Sequence, residues 1–315
     1  MIYTSENDWY YWSYGNAKFE RKSDATQVLK TTFTECIKPV FSFKEELLNN
    51  AKSTIDHFDG KKFSILFSGG MDSELVLRSY LELKHDFDVN IFRYEKDYNV
   101  YDVSHAVVSC EKLGVPYKII DFNLEKFYES EAESISEIAQ IDRPRALPQL
   151  KFMDFVDNIP IIGASDCRWF RPSVDYNEPS EWWVQCFEHD IGYSKYVRAT
   201  NRSAIAEWFK WTPGVVVSYT YLNWFKKLVT DQYIGKTGVT STKYLGYNET
   251  YPDLIERIKK TGFEYTDHLV LEFEEHLKKK YNGLIYRQTD QRSMSDFYLE
   301  VNQPNCLTGV ACRNI

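Results

Sequence analysis

The stretch "FSILFSGGMDSELVL", residues Phe63 to Leu77, decides the fold. "FSILF" has the length and apolar content of a strand buried on both faces. "SGG" follows, and glycine tolerates the positive φ that a sharp turn demands. "MDSELVLRSYLEL" then places Leu75, Leu81 and their apolar neighbours at helical spacing. The segment therefore predicts strand, glycine turn, helix. Such a turn directs free backbone N–H groups and the positive end of a helix at one point, and an anion suits that point best.

Outward from this segment a βα alternation continues. Strands are expected at Val89–Tyr94, Tyr117–Phe122 and Ile159–Gly163, with a helix in "DVSHAVVSCEKLG" that stops at Gly114 and a charged helical stretch between the second of these strands and "LPQLKFMDFVDN". The expected fold class is α/β: a parallel, doubly wound sheet covered on both faces, followed by a mostly helical C-terminal half. In such sheets ligands sit at the carboxyl ends of the strands, where the turn at 68–70 falls.

Three regions follow from this pattern. Residues 1–60 mix aromatics and charges and end in the helical pattern "FKEELLNNAKSTIDHF", so they read as an extension packing on the core. Residues 61–171 form the α/β domain. Residues 172–315 lose the alternation, and "SAIAEWFKWT", "YPDLIERIKKTGF" and "DHLVLEFEEHLKKKYNG" read as helices of a substrate-side region. The "KKK" at 278–280, beside "EFEEH", reads as a solvated helix face.

Composition bounds the function. The chain has 315 residues, enough for one large domain or two ordinary ones. Its net charge of −8 argues against bulk attraction to nucleic acid or an anionic membrane. No apolar run reaches transmembrane length, and "MIYTSENDWYYWSYG" has neither the basic start nor the apolar centre of a signal peptide. Six scattered cysteines without a CxxC suggest reduced thiols, and a cytoplasmic setting is expected. A second glycine-rich string, "IGKTG" at 234–238, lacks the upstream glycine of a P-loop, because Thr230 stands there, and is read as coincidence.

"SGGMDS", Ser68 to Ser73, carries the chemistry. The Ser68 and Ser73 hydroxyls and the N–H groups around Gly69 and Gly70 make a concave donor site for a polyphosphate. Asp72 opposes an anion directly, so its presence makes sense as a ligand of Mg²⁺, which takes carboxylate, water and phosphate oxygens.

This string resembles the signature of the PP-loop ATP pyrophosphatases, the superfamily of asparagine, GMP and NAD synthetases and several tRNA-modifying enzymes. The resemblance implies that the loop grips the β- and γ-phosphates of ATP while a substrate attacks the α-phosphorus. Three further strings resemble the asparagine synthetase domain. "PIIGASDCRW" matches its second loop, which would make Gly163 part of the nucleotide site and Asp166 a second magnesium ligand; an N-cap aspartate is the alternative for Asp166. "YDVSHAVVSCEKLGVPYKII" matches a strand, acidic pair and helix, although Val103 replaces the second acid. "KYLGYNETYPDLIERIKKTGFE" matches the late segment whose lysine meets the α-phosphate. Lys260 fits that lysine and Lys259 nearly as well; surface lysines on an amphipathic helix are the alternative. The family's arginine is absent, with Gly246 in its place.

The resemblance implies an AMP-forming ligase using ATP and Mg²⁺, joining a small-molecule carboxylate to an amine, with nucleic acid and membrane not expected as partners. Ile2 follows Met1 where full asparagine synthetases have their glutaminase cysteine, so no internal ammonia source is expected. Two rival readings are a tRNA-modifying PP-loop enzyme and a nucleotide-binding module without catalysis.

Overall fold

A computed structural model describes residues 9–15, 18–24, 27, 29–33, 39–163, 168–170, 183–185, 188–219, 221–223, 239–256 and 265–282. In chain order the strands are β1 (Tyr10–Ser13), β2 (Lys30–Phe33), β3 (Phe63–Leu66), β4 (Phe87–Tyr94), β5 (Lys118–Phe122), β6 (Ile159–Ile162), β7 (Arg168–Phe170) and β8 (Trp183–Gln185). The α-helices are α1 (Phe43–His57), α2 (Met71–Glu82), α3 (Val100–Leu113), α4 (Leu124–Ser130), α5 (Ala132–Ala139), α6 (Leu147–Phe152), α7 (Glu188–Ala199), α8 (Pro213–Tyr219), α9 (Val239–Thr250) and α10 (Asp267–Lys280).

The central sheet runs β5-β4-β3-β6 and is parallel throughout. Ile65 of β3 stands between Val89 of β4 and Ile161 of β6, and all three side chains are buried. A strand covered on both faces needs apolar residues in succession, and "FSIL" supplies a run in which every residue is buried. In the helix that follows, Leu75, Val76 and Leu77 are all without exposure, so that helix is covered on more than one side. Each such aliphatic side chain contributes about 1.5–3 kcal/mol on burial.

Local signals set the helix ends. Ser42 and Glu45 form a reciprocal capping box at the start of α1. Gly114 ends α3 at φ +65°, as its position at the end of the apolar pattern predicts.

One segment expected to be helical is not, nor is the described part of a second. In "SAIAEWFKWT" Ile205 instead pairs in parallel with Ile161, with hydrogen bonds from Ile205 N to Pro160 O and from Ile162 N to Ile205 O. The open edge of β6 takes up these backbone groups, and only a short 3₁₀ turn, Trp208–Lys210, remains helical. The sheet therefore gains its far edge from beyond residue 171. In "YPDLIERIKKTGF" the described residues 251–256 leave helical geometry, since Pro252 cannot donate to a continuing helix.

Buried polar contacts join the N-terminal pair β1–β2 and α1 to this frame. Trp9 Nε1 donates to Lys210 O over 3.1 Å, and Tyr10 hydroxyl to Glu207 over 3.0 Å. Thr54 donates to Ala51 O, so Tyr80 hydroxyl donates to Thr54 over 2.6 Å and accepts from Trp208 Nε1. That chain of bonds links α1, α2 and the turn after Ile205. Among the described residues, no helix is long and apolar enough to cross a membrane.

Candidate nucleotide site

At the carboxyl end of β3 the backbone continues pairing for one residue, with Phe67 N on Asn90 O, and then turns. Gly69 makes the turn at φ +70°. A side chain there would also collide with α3, because a Cβ would lie 2.5 Å from Asp102 O and 2.7 Å from Ala106 N. Gly70 then caps α2 in extended geometry, and Glu74 N bonds to Gly70 O over 3.0 Å. The first turn of α2 thus presents its N–H groups at the end of the sheet.

The loop's polar atoms are gathered. Ser73 hydroxyl donates to Gly70 O over 2.9 Å, which leaves Ser68 as the donor in the 3.2 Å contact between the two hydroxyls. Gly70 N in turn donates to Ser68 Oγ over 3.3 Å. These are mostly long bonds among neutral groups. Charge-assisted bonds to phosphate oxygens are roughly twice as strong, so a polyphosphate would exchange them favourably. Ser68 is exposed and Ser73 buried, so the hydroxyl pair forms a wall with one open side.

Gly163 lies at the end of β6, directly against this turn. A Cβ on it would stand 2.7 Å from Ser73 Cα and 3.0 Å from Ser73 N. The resemblance gave Gly163 a nucleotide-binding role; its described contact is the close packing of β6 on the loop's helix. Asp72, half-buried in the first turn of α2, accepts a 2.8 Å hydrogen bond at Oδ1 from Tyr247. Asp166, Lys259 and Lys260 lie outside the described residues.

Sequence reasoning missed a layer behind the loop. Arg78, 6% exposed at its side chain, binds Glu74 over 2.8 Å and Asp253 through a fork of 2.9 to 3.1 Å bonds. Burial opposes the Arg78 charge, yet its hydrogen bonds to Asp253 and Glu74 outweigh it and raise its pKa. Ser109 of α3 donates to the second Glu74 oxygen. The i, i+4 spacing of Glu74 and Arg78 was the available signal for their pairing. Neither Tyr247 nor Asp253 carried any signal of its own.

A separate groove of about 610 Å³ lies between α4, α5 and α10, lined by Glu125, Glu129, Glu133, Glu137, Glu272 and His276 among others. Its acidic lining would repel a polyphosphate, and it contains none of the loop residues.

No protein-family model matches the chain. In sequence it is similar to the tRNA-specific 2-thiouridylase MnmA of Helicobacter pylori (strain HPAG1), at 26% identity over 153 residues, or 41% of this chain and 44% of that relative. The matched part thus spans less than half of the curated relative. Among solved structures, the NMN synthetase from Francisella tularensis is 11% identical with a TM-score of 0.33, the alignment covering 76% of this chain and 94% of that one. The NH3-dependent NAD synthetase from Campylobacter jejuni subsp. jejuni NCTC 11168 is 14% identical with a TM-score of 0.32, covering 69% and 97%. The sequence match, taken with the strand–"SGGMDS"–helix turn, supports the PP-loop ATP pyrophosphatase superfamily as the chain's broad relationship.

Proposed function

We propose that the chain is an ATP-dependent ligase that adenylates a carboxylate, releases pyrophosphate, and passes the acyl group to an amine, in the manner of asparagine synthetases. One observation supports this reading most directly: Ser68, Gly69, Gly70 and Ser73 converge at the carboxyl end of β3, on the N-terminus of α2. Donors fixed there before reaction stabilise negative charge as it develops on a departing pyrophosphate.

The donor set fits magnesium. Asp72 offers a carboxylate in the same loop and first helical turn as the Ser68 and Ser73 hydroxyls. A cation here would complete its shell from phosphate oxygens and water, which is the magnesium habit. When bound, it offsets repulsion between an anionic nucleophile and the polyphosphate. In the proposal Asp166 shares that cation with Asp72. Lys260, or Lys259 beside it, neutralises charge at the α-phosphate.

The steps balance. A substrate carboxylate oxygen bonds to the α-phosphorus as the bond to the bridging oxygen of pyrophosphate breaks. The amine nitrogen then bonds to the acyl carbon, AMP leaves with the adenylate oxygen, and the nitrogen loses a proton to solvent. The cytoplasm is the proposed setting.

A second reading is favoured by the thiouridylase match: the adenylated group would belong to an RNA base. The net charge of −8 disfavours it. Cys110 would serve it poorly as a nucleophile, since burial pushes its thiol up to about 12, and the other five cysteines lie outside the described residues.

The test is product identity. Purified protein, Mg-ATP and a small-molecule extract should yield AMP and pyrophosphate, lost in Asp72→Ala. ADP and phosphate alone would sink the proposal, and dependence on added tRNA would favour the second reading.

A further inference from the structure

We infer that Tyr247 is a positioning residue for Asp72, through which α9 sets the grip of the loop on a magnesium-bound nucleotide. The inference rests on the reading of the loop given above and adds a residue from the other end of the chain to it.

Tyr247 hydroxyl donates to Asp72 Oδ1 over 2.8 Å, across 175 positions of sequence. Its ring is 1% exposed. Phe43 of α1 stacks on it at 6.2 Å and 12°, and Tyr219 of α8 meets it edge-on at 6.3 Å and 73°. The ring cannot swing without moving two other helices, so its hydroxyl is a fixed point.

Asp72 is half-buried, and the Tyr247 hydroxyl is among the groups that select its rotamer. A carboxylate accepts about four contacts, so a hydroxyl held on one oxygen constrains its orientation without excluding a hard cation. Groups that orient a metal ligand in this way typically affect metal affinity by about 10- to 100-fold.

A tyrosine merely burying its hydroxyl would also find a nearby acceptor. The neighbouring contacts argue for more. The chain just after α9 is tied to α2 again, by the Arg78–Asp253 fork and by Arg78 over the Tyr251 ring at 5.1 Å. Lys112 of α3 reaches the same Asp253. Thus α9 and its following turn are registered along the helix that begins at the loop, with Tyr247 at the loop end.

Tyr247→Phe keeps the ring contacts and removes one oxygen. The probe is Mn²⁺, titrated by electron paramagnetic resonance in the presence of α,β-methylene ATP, which the enzyme cannot split. Mn²⁺ affinity is expected to fall about tenfold, with the melting temperature of the nucleotide-free protein nearly unchanged. Phe43→Leu, which loosens the ring's seat but keeps the hydroxyl, is expected to give a smaller loss and decides the matter should Tyr247→Phe fail to fold. Unchanged Mn²⁺ affinity in the folded variants would overturn the role of Tyr247 alone. A wild-type protein that binds no Mn²⁺ with the nucleotide analogue would overturn both this inference and the reading of the loop.

Discussion

A methyl group on Gly163 would stand 2.7 Å from the Cα of Ser73, so β6 and the first turn of α2 meet backbone to backbone. Real Cβ atoms do not approach backbone so closely, and Gly163→Ala must push the loop's helix away from the sheet. Misplacement of reacting groups by about 1 Å can cost 100-fold in rate. We expect pyrophosphate release by Gly163→Ala to fall by about 10- to 100-fold while the protein stays folded, as followed by a coupled pyrophosphate assay beside a thermal melt.

Gly69 and Gly60 allow a controlled comparison, since both adopt positive φ, +70° and +69°. A side chain at Gly60 meets nothing within 4 Å, whereas one at Gly69 meets Asp102 O at 2.5 Å. Gly60→Ala should cost only the left-handed conformation, about 1 kcal/mol. Gly69→Ala should cost at least about 1 kcal/mol more. Urea unfolding of the two variants measures the difference, and equal losses would show that the contact with α3 relaxes freely.

Arg78 compensates a buried carboxylate, Glu74, whose side chain is 5% exposed. Arg78→Met removes the countercharge and should destabilise the fold by about 3 kcal/mol, because an uncompensated buried charge is left behind. Adding Glu74→Gln should recover part of that loss. Denaturant titrations of the single and double variants check both statements.

The junction of α5 with α10 should respond to acid. Lys280 hydrogen-bonds to Glu133 and Glu137, while His276 also reaches Glu133 and Tyr281 reaches Glu137. Those bonds hold both carboxyls below their usual range and hold Lys280 above its own. A depressed carboxyl stabilises the fold above its ordinary titration range and loses that contribution as pH falls through its lowered value. Protection of the α10 amides from hydrogen exchange, corrected for intrinsic rates, should therefore fall below about pH 4. Lys280→Met should show the loosened state already at pH 7. These groups are substantially exposed, so the change is expected to be a few-fold.

What was legible in the sequence was local. The run "FSILF", the two glycines and the helix spacing all act within fifteen residues, and the structure has strand, turn and helix where they predict them. The "KKK" shows where such reasoning stops: Lys278 pairs along its own helix, as a solvated face would, but Lys280 ties α10 to α5. Residues 203–212 were misread because the free edge of β6 outweighed their helical spacing. Tyr247 lies inside a string the resemblance singled out, but nothing marked it within that string. It is one of 23 tyrosines, and its contact with Asp72 exists only after the chain has folded back.

The bonds from Trp9 to Lys210 and from Tyr10 to Glu207 have a consequence for biosynthesis. Translation emits Trp9, Tyr10 and Trp12 well before the hydrogen-bond partners of two of them, which follow only after some 200 further residues. At about 5–20 residues per second, the ribosome leaves that aromatic cluster without its native cover for ten seconds or more. Exposed apolar surface of that kind is prone to aggregate until its cover is made. Charged replacements of these rings should spare the emerging chain from aggregation while lowering the yield of finished protein.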